Sequence, residues 1–244
     1  MINNNLRIGN FTSSQIYRLM KNDRAGTGLG APALSYIEEK AMETLLGRSL
    51  NSETNAKPTM WGKVLEEWAF TQPEIFPIAY QTASQGTIKH PTLNWSGSRD
   101  GVRYDGLNPF SVFDLKCPWT LKSFMHFCLS GNMDEVRQNH DDGEKYYWQI
   151  VSNAILSEVN HGELIVFVPK QSQLTEIREF IEGDKRGYNL FYSEDEELPY
   201  VPDAFDKNLV RFQFEIPQSD KDLLTTRVKL ACELLNNKIK TLKK

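Results

Sequence analysis

The middle of the chain, residues 81–116, breaks into short segments of β-type sequence, whereas the sequence on either side has the period of helices. Two Asp-Gly pairs, beginning at Asp100 and Asp105, are turn signals that separate these segments. The last segment reaches Lys116 and is stopped by Pro118, which cannot donate a hydrogen bond to a neighbouring strand. Because short strands must bury a face against other elements, the pattern predicts a small sheet packed between helices.

Helical periodicity, with apolar residues recurring three and four positions apart, marks several other segments. They are residues 34–46, 60–69, 120–129, 144–158 and 219–242. Two short apolar runs, residues 164–168 and 210–216, are predicted to be buried strands. The order of these elements predicts an α/β (α+β) fold with a central mixed β-sheet flanked by helices, and a single domain over residues 1–244.

Composition and charge argue against several classes of protein. The 244 residues have a net charge of −4, which does not suit a nonspecific nucleic-acid coat protein, although residues 221–244 hold seven basic and two acidic side chains. Three cysteines without a CxxC pair do not form a disulfide scaffold or a zinc finger. The longest apolar run, residues 164–168, is far shorter than the ~20 residues of a membrane span, and the polar start MINNNLRIGN is unlike a signal peptide. We therefore expect a cytoplasmic protein with reduced thiols and no membrane contact.

Two carboxylates and one lysine near the end of the β-rich region are candidates for chemistry. Asp114 and Lys116 lie two positions apart on one predicted strand, so their side chains project from the same face. Asp100 lies in the turn SRDG before that strand. Carboxylate oxygens are ligands that Mg²⁺ prefers, and a neighbouring lysine can position or deprotonate an attacking water. This arrangement matches the PD-(D/E)xK pattern of nucleases, with Arg99 in place of the proline.

The residues alone leave simpler interpretations open. An isolated Asp-x-Lys is most often a surface ion pair, and Asp105 belongs to a sequence typical of a turn. The predicted helix before the strands carries two acids, Glu66 and Glu67, at opposite edges of its apolar face, so its periodicity does not choose between them. The polar side of the later helix, which includes Gln149, could line a phosphate-bearing cleft or face solvent.

Five motifs follow one another along residues 6–155: LRIGNFTSS, WGKVLE, SGSRDG, FDLKCP and YYWQIV. In order and spacing they closely resemble the bacteriophage lambda exonuclease family, also called YqaJ-like viral recombinases, within the PD-(D/E)xK superfamily. The resemblance implies a restriction-endonuclease-like core. One departure is Val151, which occupies a position where the family often has a second glutamine.

The resemblance implies roles for individual residues. Glu66, Asp100 and Asp114 would be catalytic acids and metal ligands, joined by the main-chain carbonyl of Leu115, with Lys116 as the catalytic lysine. Gln149 would touch substrate beside the active site, and Arg7 and Ser14 would bind the 5′-terminal phosphate. Ser13 or Ser14 is also predicted to cap a short helix ending at Met20, and the two roles are compatible because a helix N-terminus binds phosphate.

The same resemblance implies an activity. We expect a Mg²⁺-dependent exonuclease, with Mn²⁺ as a substitute, that digests one strand of linear duplex DNA from a 5′-phosphorylated end and leaves 3′ single-stranded overhangs for recombination. The family implies a homotrimeric ring, a single-strand annealing protein as partner, and a phage or prophage origin in a bacterial host. The alternatives are an endonuclease of the same fold and a catalytically inactive DNA-end-binding protein.

Overall fold

A central mixed sheet organises the structure, a computed structural model that describes residues 6–50, 56–82, 86–182, 190 and 192–243. The strands in chain order are β1 (Phe11–Thr12), β2 (Tyr80–Thr82), β3 (Thr87–Lys89), β4 (Trp95–Ser98), β5 (Gly101–Asp105), β6 (Asn108–Lys116), β7 (His161–Phe167) and β8 (Leu209–Glu215). Five of them form the main sheet in the order β2-β5-β6-β7-β8, in which only β6 and β7 are parallel neighbours. The others form a small second sheet in the order β1-β4-β3.

Helices cover the main sheet. A 3₁₀ helix, Ser13–Met20, precedes α1 (Ala31–Leu46), α2 (Lys57–Ala69), α3 (Leu121–Leu129), α4 (Met133–Asn139), α5 (Gly143–Leu156), α6 (Leu174–Ile181) and α7 (Gln218–Leu242). The predicted α/β class, with a mixed sheet flanked by helices, is confirmed. The sequence did not predict α4 or α6, because each is short and presents few apolar positions to a core.

Strand β6 lies between β5 and β7 and carries two hydrophobic cores on its two faces. Val112 belongs to the core on the side of α5, whereas Phe113 and Leu115 belong to the core on the side of α2. The alternation follows from the period of two residues in a strand. Because β7 pairs with β6 as far as Lys116 and a core covers each face, the end of β6 is a rigid place for side chains.

The start of the 3₁₀ helix differs from the prediction that Ser13 or Ser14 caps it. Thr12 occupies the N-cap position and makes no capping hydrogen bond, and Ser13 lies inside the first turn. The Ser13 hydroxyl instead lies 2.8 Å from the hydroxyl of Ser152 on α5. The cap was wrong because a tertiary hydrogen bond competes for the serine.

Two other expectations concern the turn and the membrane. Asp105 is the last residue of β5, and Gly106 with Leu107 forms the turn to β6; Gly106 has the positive φ of 60° that favours glycine there. None of the helices within the described ranges is long and apolar enough to cross a membrane. The single domain over residues 1–244 stays a prediction.

Candidate active site

Asp114 and Lys116 form an ion pair at the end of β6. Lys116 Nζ lies 2.6 Å from Asp114 Oδ2, and the Asp114 side chain is fully buried. The shared face that the two-residue spacing predicts is therefore present. Leu115, between them, packs its side chain into the core on the side of α2. A buried carboxylate must be paired or hydrogen-bonded, which separates this pair from an ordinary surface ion pair.

Helix α5 supplies the second partner of Asp114. Gln149 Nε2 donates a hydrogen bond of 2.6 Å to Asp114 Oδ1, and Gln149 is only 8% exposed. Ser152 and Asn153, on the same side of the helix, are also buried. The interpretation of this polar side as a solvent-facing surface is therefore wrong. These residues are polar because they hydrogen-bond buried groups rather than water: Gln149 bonds to Asp114, Ser152 to the Trp95 ring N–H, and Asn153 to the Ser98 carbonyl.

Asp100 reaches the same place from the bend between β4 and β5. Its Oδ2 accepts a hydrogen bond of 2.7 Å from the backbone N–H of Leu115, one residue after Asp114. Burial, followed by repulsion from Asp114 and Glu66, raises the pKa of Asp100 well above its usual range. Asp100 and Asp114, which are separate in sequence, therefore converge at one end of β6.

Glu66 joins this group from α2. The pKa of Glu66 is raised to about 7: burial is the main cause, Lys116 opposes the rise, and repulsion from Asp114 adds to it. Burial lowers the pKa of Lys116, but attraction to Asp114 and Asp100 outweighs this and raises it overall. These mutual interactions favour Glu66 over Glu67 as the acid of α2 that faces the site. A side chain added at Gly62, one turn earlier, would meet only the Cys117 carbonyl at 4.0 Å, so space remains beside α2.

The donors at this site suit a divalent cation, although the side chains are not arranged around one. Within the part of the chain that is described, no three Asp, Glu, His or Cys side chains form a ready metal cluster. The oxygens of Glu66, Asp100 and Asp114 are hard donors of the type that Mg²⁺ prefers. Asp114 Oδ2 is buried and, despite its ion pair, accepts no hydrogen bond of good angle. When all three acids are ionised, one lysine leaves an excess of negative charge; this repulsion contributes to the raised pKa values of Asp100 and Glu66, and a cation would neutralise it.

Arg7 and Ser14 line the same two cavities, neither of which is lined by Glu66, Asp100 or Asp114. Both line a cleft of about 620 Å³ between the loop before β1, the 3₁₀ helix and α1. They also line a small adjoining cavity together with Ser96, Gly97 and Ser98. Ser98 was not singled out in the sequence, and its proximity depends on the pairing of β4 with β1, which no local pattern reveals. Since β4 leads directly to Asp100, the Arg7–Ser14 pair lies beside the carboxylate-bearing segment.

Comparison with solved structures identifies exonucleases of the same fold. The alkaline exonuclease LHK-Exo from Laribacter hongkongensis matches with a TM-score of 0.62 and 17% identity, over 97% of this chain and 93% of that chain. LHK-Exo in complex with dAMP matches with a TM-score of 0.62 and 18% identity, over 98% and 94%. A phage related exonuclease from Haemophilus somnus 129PT matches with a TM-score of 0.68 and 17% identity, over 96% of each chain.

Sequence comparison gives no such match. No protein-family model matches the chain, and no curated protein matches it. With identities this low, the structural likeness establishes a shared fold over nearly the whole chain. The chain therefore has the fold of these exonucleases, with its acidic cluster at the end of a central strand.

Proposed function

We propose that this protein is a Mg²⁺-dependent deoxyribonuclease that digests linear duplex DNA from the 5′ end. The observation that carries the proposal is that Asp114 pairs with Lys116 at the end of β6 while Asp100 accepts a hydrogen bond from the backbone between them, at Leu115. Glu66 interacts electrostatically with the same Asp114 and Lys116. The fold shared with an alkaline exonuclease and a phage related exonuclease supports the same activity. The LHK-Exo complex with dAMP further supports a nucleotide product.

Each residue has a distinct part in the proposed hydrolysis. Asp100 and Asp114, with Glu66 and the Leu115 carbonyl, would hold the cation, and Mn²⁺ would substitute for Mg²⁺. When bound, the cation supplies Lewis-acid polarisation of the phosphate and charge neutralisation. Lys116, fixed beside Asp114, would orient the attacking water and stabilise charge on the phosphate oxygens. Gln149 would keep Asp114 in position while it contacts the substrate strand.

Arg7 and Ser14 would set the proposed direction of digestion, from the 5′ end. An arginine fork and a hydroxyl at the start of a helix form a suitable site for a terminal phosphate. Because this pair adjoins the segment that leads to Asp100, a 5′-phosphate bound there would place a following phosphodiester near the carboxylates. Removal of nucleotides from this end would leave 3′ single-stranded overhangs for recombination.

The proposal also includes an oligomeric state, a partner protein and a cellular location. A homotrimeric ring would keep DNA enclosed and would allow a chain of net charge −4 to concentrate basic groups in a channel. Sedimentation of the intact chain tests the trimer. A single-strand annealing protein would receive the overhang. The nuclease would act in the cytoplasm of a bacterial host and would be of phage or prophage origin.

A time course on end-labelled linear duplex tests the activity. The substrates carry 5′-phosphate or 5′-hydroxyl ends and are incubated with Mg²⁺, with Mn²⁺ or with EDTA. We expect cleavage only with a divalent cation, faster on the phosphorylated end, with no cleavage of a covalently closed circle. Lys116→Ala should bind DNA and release no nucleotides.

The same assay discriminates the alternatives. Cleavage of the closed circle would identify an endonuclease instead. DNA binding without release of nucleotides under either metal would identify an inactive end-binding protein. Substantial residual cleavage by Lys116→Ala would remove the lysine from the chemistry.

A further inference from the structure

The cleft beside Arg7 and Ser14 is larger than a single phosphate requires. Its volume of about 620 Å³ lies within the range of about 300–1,000 Å³ that accommodates drug-sized ligands, and a nucleotide is of that size. Tyr36 on α1 and the loop of Gly47, Arg48 and Ser49 after it also line the cleft. The proposed phosphate site is thus continuous with a space that extends beyond the small cavity lined by Ser98.

Two of the four cations that line this cleft are already neutralised. Arg18 forms two hydrogen bonds to Glu39, at 2.7 and 2.8 Å. Lys40 forms a buried ion pair with Glu43 at 2.7 Å. These pairs account for both carboxylates that line the cleft.

The two remaining cations are Arg7 and Arg48. Neither has a carboxylate partner among the described residues. Arg48 is exposed and lines only the cleft, whereas Arg7 lines both the cleft and the small cavity. The cleft therefore has two uncompensated positive charges, as a site for a strand with more than one phosphate requires.

The lining residues fix the order of these features. Arg7, Thr12 and Ser14 line both the cleft and the small cavity, and Ser98 lines the small cavity alone. A path from the carboxylates therefore passes Ser98 first, then the Arg7–Ser14 pair, and then Arg48. A DNA strand that follows this path can extend beyond the Arg7–Ser14 pair instead of ending there.

We propose that this cleft accepts a short 5′ single-stranded extension, with Arg48 binding a phosphate of the extension, so that the enzyme also removes short oligonucleotides. The inference rests on the proposed nuclease function and specifies its substrates. In the reaction, a water oxygen bonds to the phosphorus at the carboxylates, and the bond from phosphorus to O3′ of the extension breaks. The O3′ takes a proton and leaves as a hydroxyl, and the remaining strand keeps a 5′-phosphate.

Two duplexes labelled at the 5′-phosphate test the inference, one with a blunt end and one with a short 5′ extension. We expect the wild-type protein to release the label from the extended duplex as an oligonucleotide and from the blunt duplex as a mononucleotide. Arg48→Ala should lower the rate on the extended duplex about tenfold, the effect of losing one arginine–phosphate contact. It should leave the rate on the blunt duplex unchanged.

Two further variants serve as controls. Arg48→Lys, which keeps the charge, should recover part of the rate on the extended duplex. Lys240→Ala removes an exposed charge from α7, outside the cleft, and should change neither rate.

Three results would overturn the inference. The first is release of the label from the extended duplex only as mononucleotide. The second is an equal loss of cleavage rate on both duplexes with Arg48→Ala. Either result would leave the proposed nuclease function intact. Failure of the wild-type protein to cut the blunt duplex would instead overturn that function, and the inference with it.

Discussion

Gln149 on α5 donates a 2.6 Å hydrogen bond to Asp114 on β6, and both side chains are buried. Lys116 holds the other carboxylate oxygen of Asp114 at 2.6 Å. The orientation of Asp114 is therefore fixed by two protein groups, one from helix α5 and one from its own strand. A carboxylate held in this way is preorganised before any substrate arrives.

Replacement of Gln149 tests that orientation. Gln149→Met keeps most of the side-chain volume but removes the donor, which leaves a buried carboxylate oxygen without its hydrogen bond. We expect the free energy of unfolding to fall by about 1–3 kcal/mol, as measured by urea denaturation. The rate of nucleotide release should also fall, because Asp114 loses one of the groups that orient it.

Gln171→Met is a suitable control because Gln171 is exposed and lies outside the site. This variant should retain wild-type stability and activity. If Gln149→Met has the stability and rate of the control, the hydrogen bond does not position Asp114.

Asp114→Asn should abolish nucleotide release. The amide keeps the shape of the side chain but removes the charge that pairs with Lys116 and would hold a cation. We expect a loss of about 100-fold or more in rate with Mg²⁺. The measurement is release of labelled nucleotide from phosphorylated linear duplex, with circular dichroism to establish that the fold is retained.

The matched control is Asp105→Asn, at the end of β5 next to the turn. Asp105 is exposed and lies outside the acidic group. We expect unchanged cleavage. A rate for Asp114→Asn close to that of this control would contradict the assigned role of Asp114.

The fold was predictable where local pattern and burial agree. Strand β6 was marked by alternating apolar residues and by Pro118, and α2 was marked by one apolar face. Helix α4 was missed because its seven residues include only Met133 and Val136 as buried apolar positions. The cap at Ser13 was wrong because Ser152, distant in sequence, takes its hydroxyl. Local rules fail where a distant partner decides the conformation.

The sequence indicates the candidate residues of the site better than it indicates the contacts between them. The spacing of Asp114 and Lys116 on one strand fixed their shared face, and the motif order indicated Asp100 and Glu66. The bond from the Leu115 N–H to Asp100 depends on how β5 pairs with β6, so sequence spacing alone does not reveal it. The open cleft that Arg48 lines likewise requires the packing of α1 against the 3₁₀ helix.

Arg7→Ala should reduce the preference for phosphorylated ends. Arg7 lines the proposed phosphate site, so its loss removes a charge-assisted contact that only a 5′-phosphate makes. We expect the ratio of rates on 5′-phosphate and 5′-hydroxyl duplexes to fall about tenfold. Each rate is measured from the initial time course, and an unchanged ratio would remove Arg7 from the phosphate site.

Two Glu–Lys pairs provide a final test, because the one within α1 is buried and the one between α1 and α7 is exposed. Lys40 and Glu43 pair at 2.7 Å with side chains 7% and 2% exposed, and Glu43 Oε2 also accepts the Gly9 N–H at 3.2 Å. Lys238 and Glu38 pair at the same 2.7 Å, but their side chains are 38% and 60% exposed. Distance alone therefore does not distinguish the pairs, whereas burial does.

Glu43→Ala should lower the free energy of unfolding by about 3–5 kcal/mol, because it leaves the Lys40 ammonium buried without its partner. Glu38→Ala should lower it by less than about 1 kcal/mol, because solvent replaces the lost contact. Urea denaturation followed by tryptophan fluorescence measures both. Since Glu43 also anchors Gly9, close to Arg7, its variant should weaken the preference for a 5′-phosphate as well. Equal stabilities of the two variants would show that the buried pair does not hold the wall of the cleft.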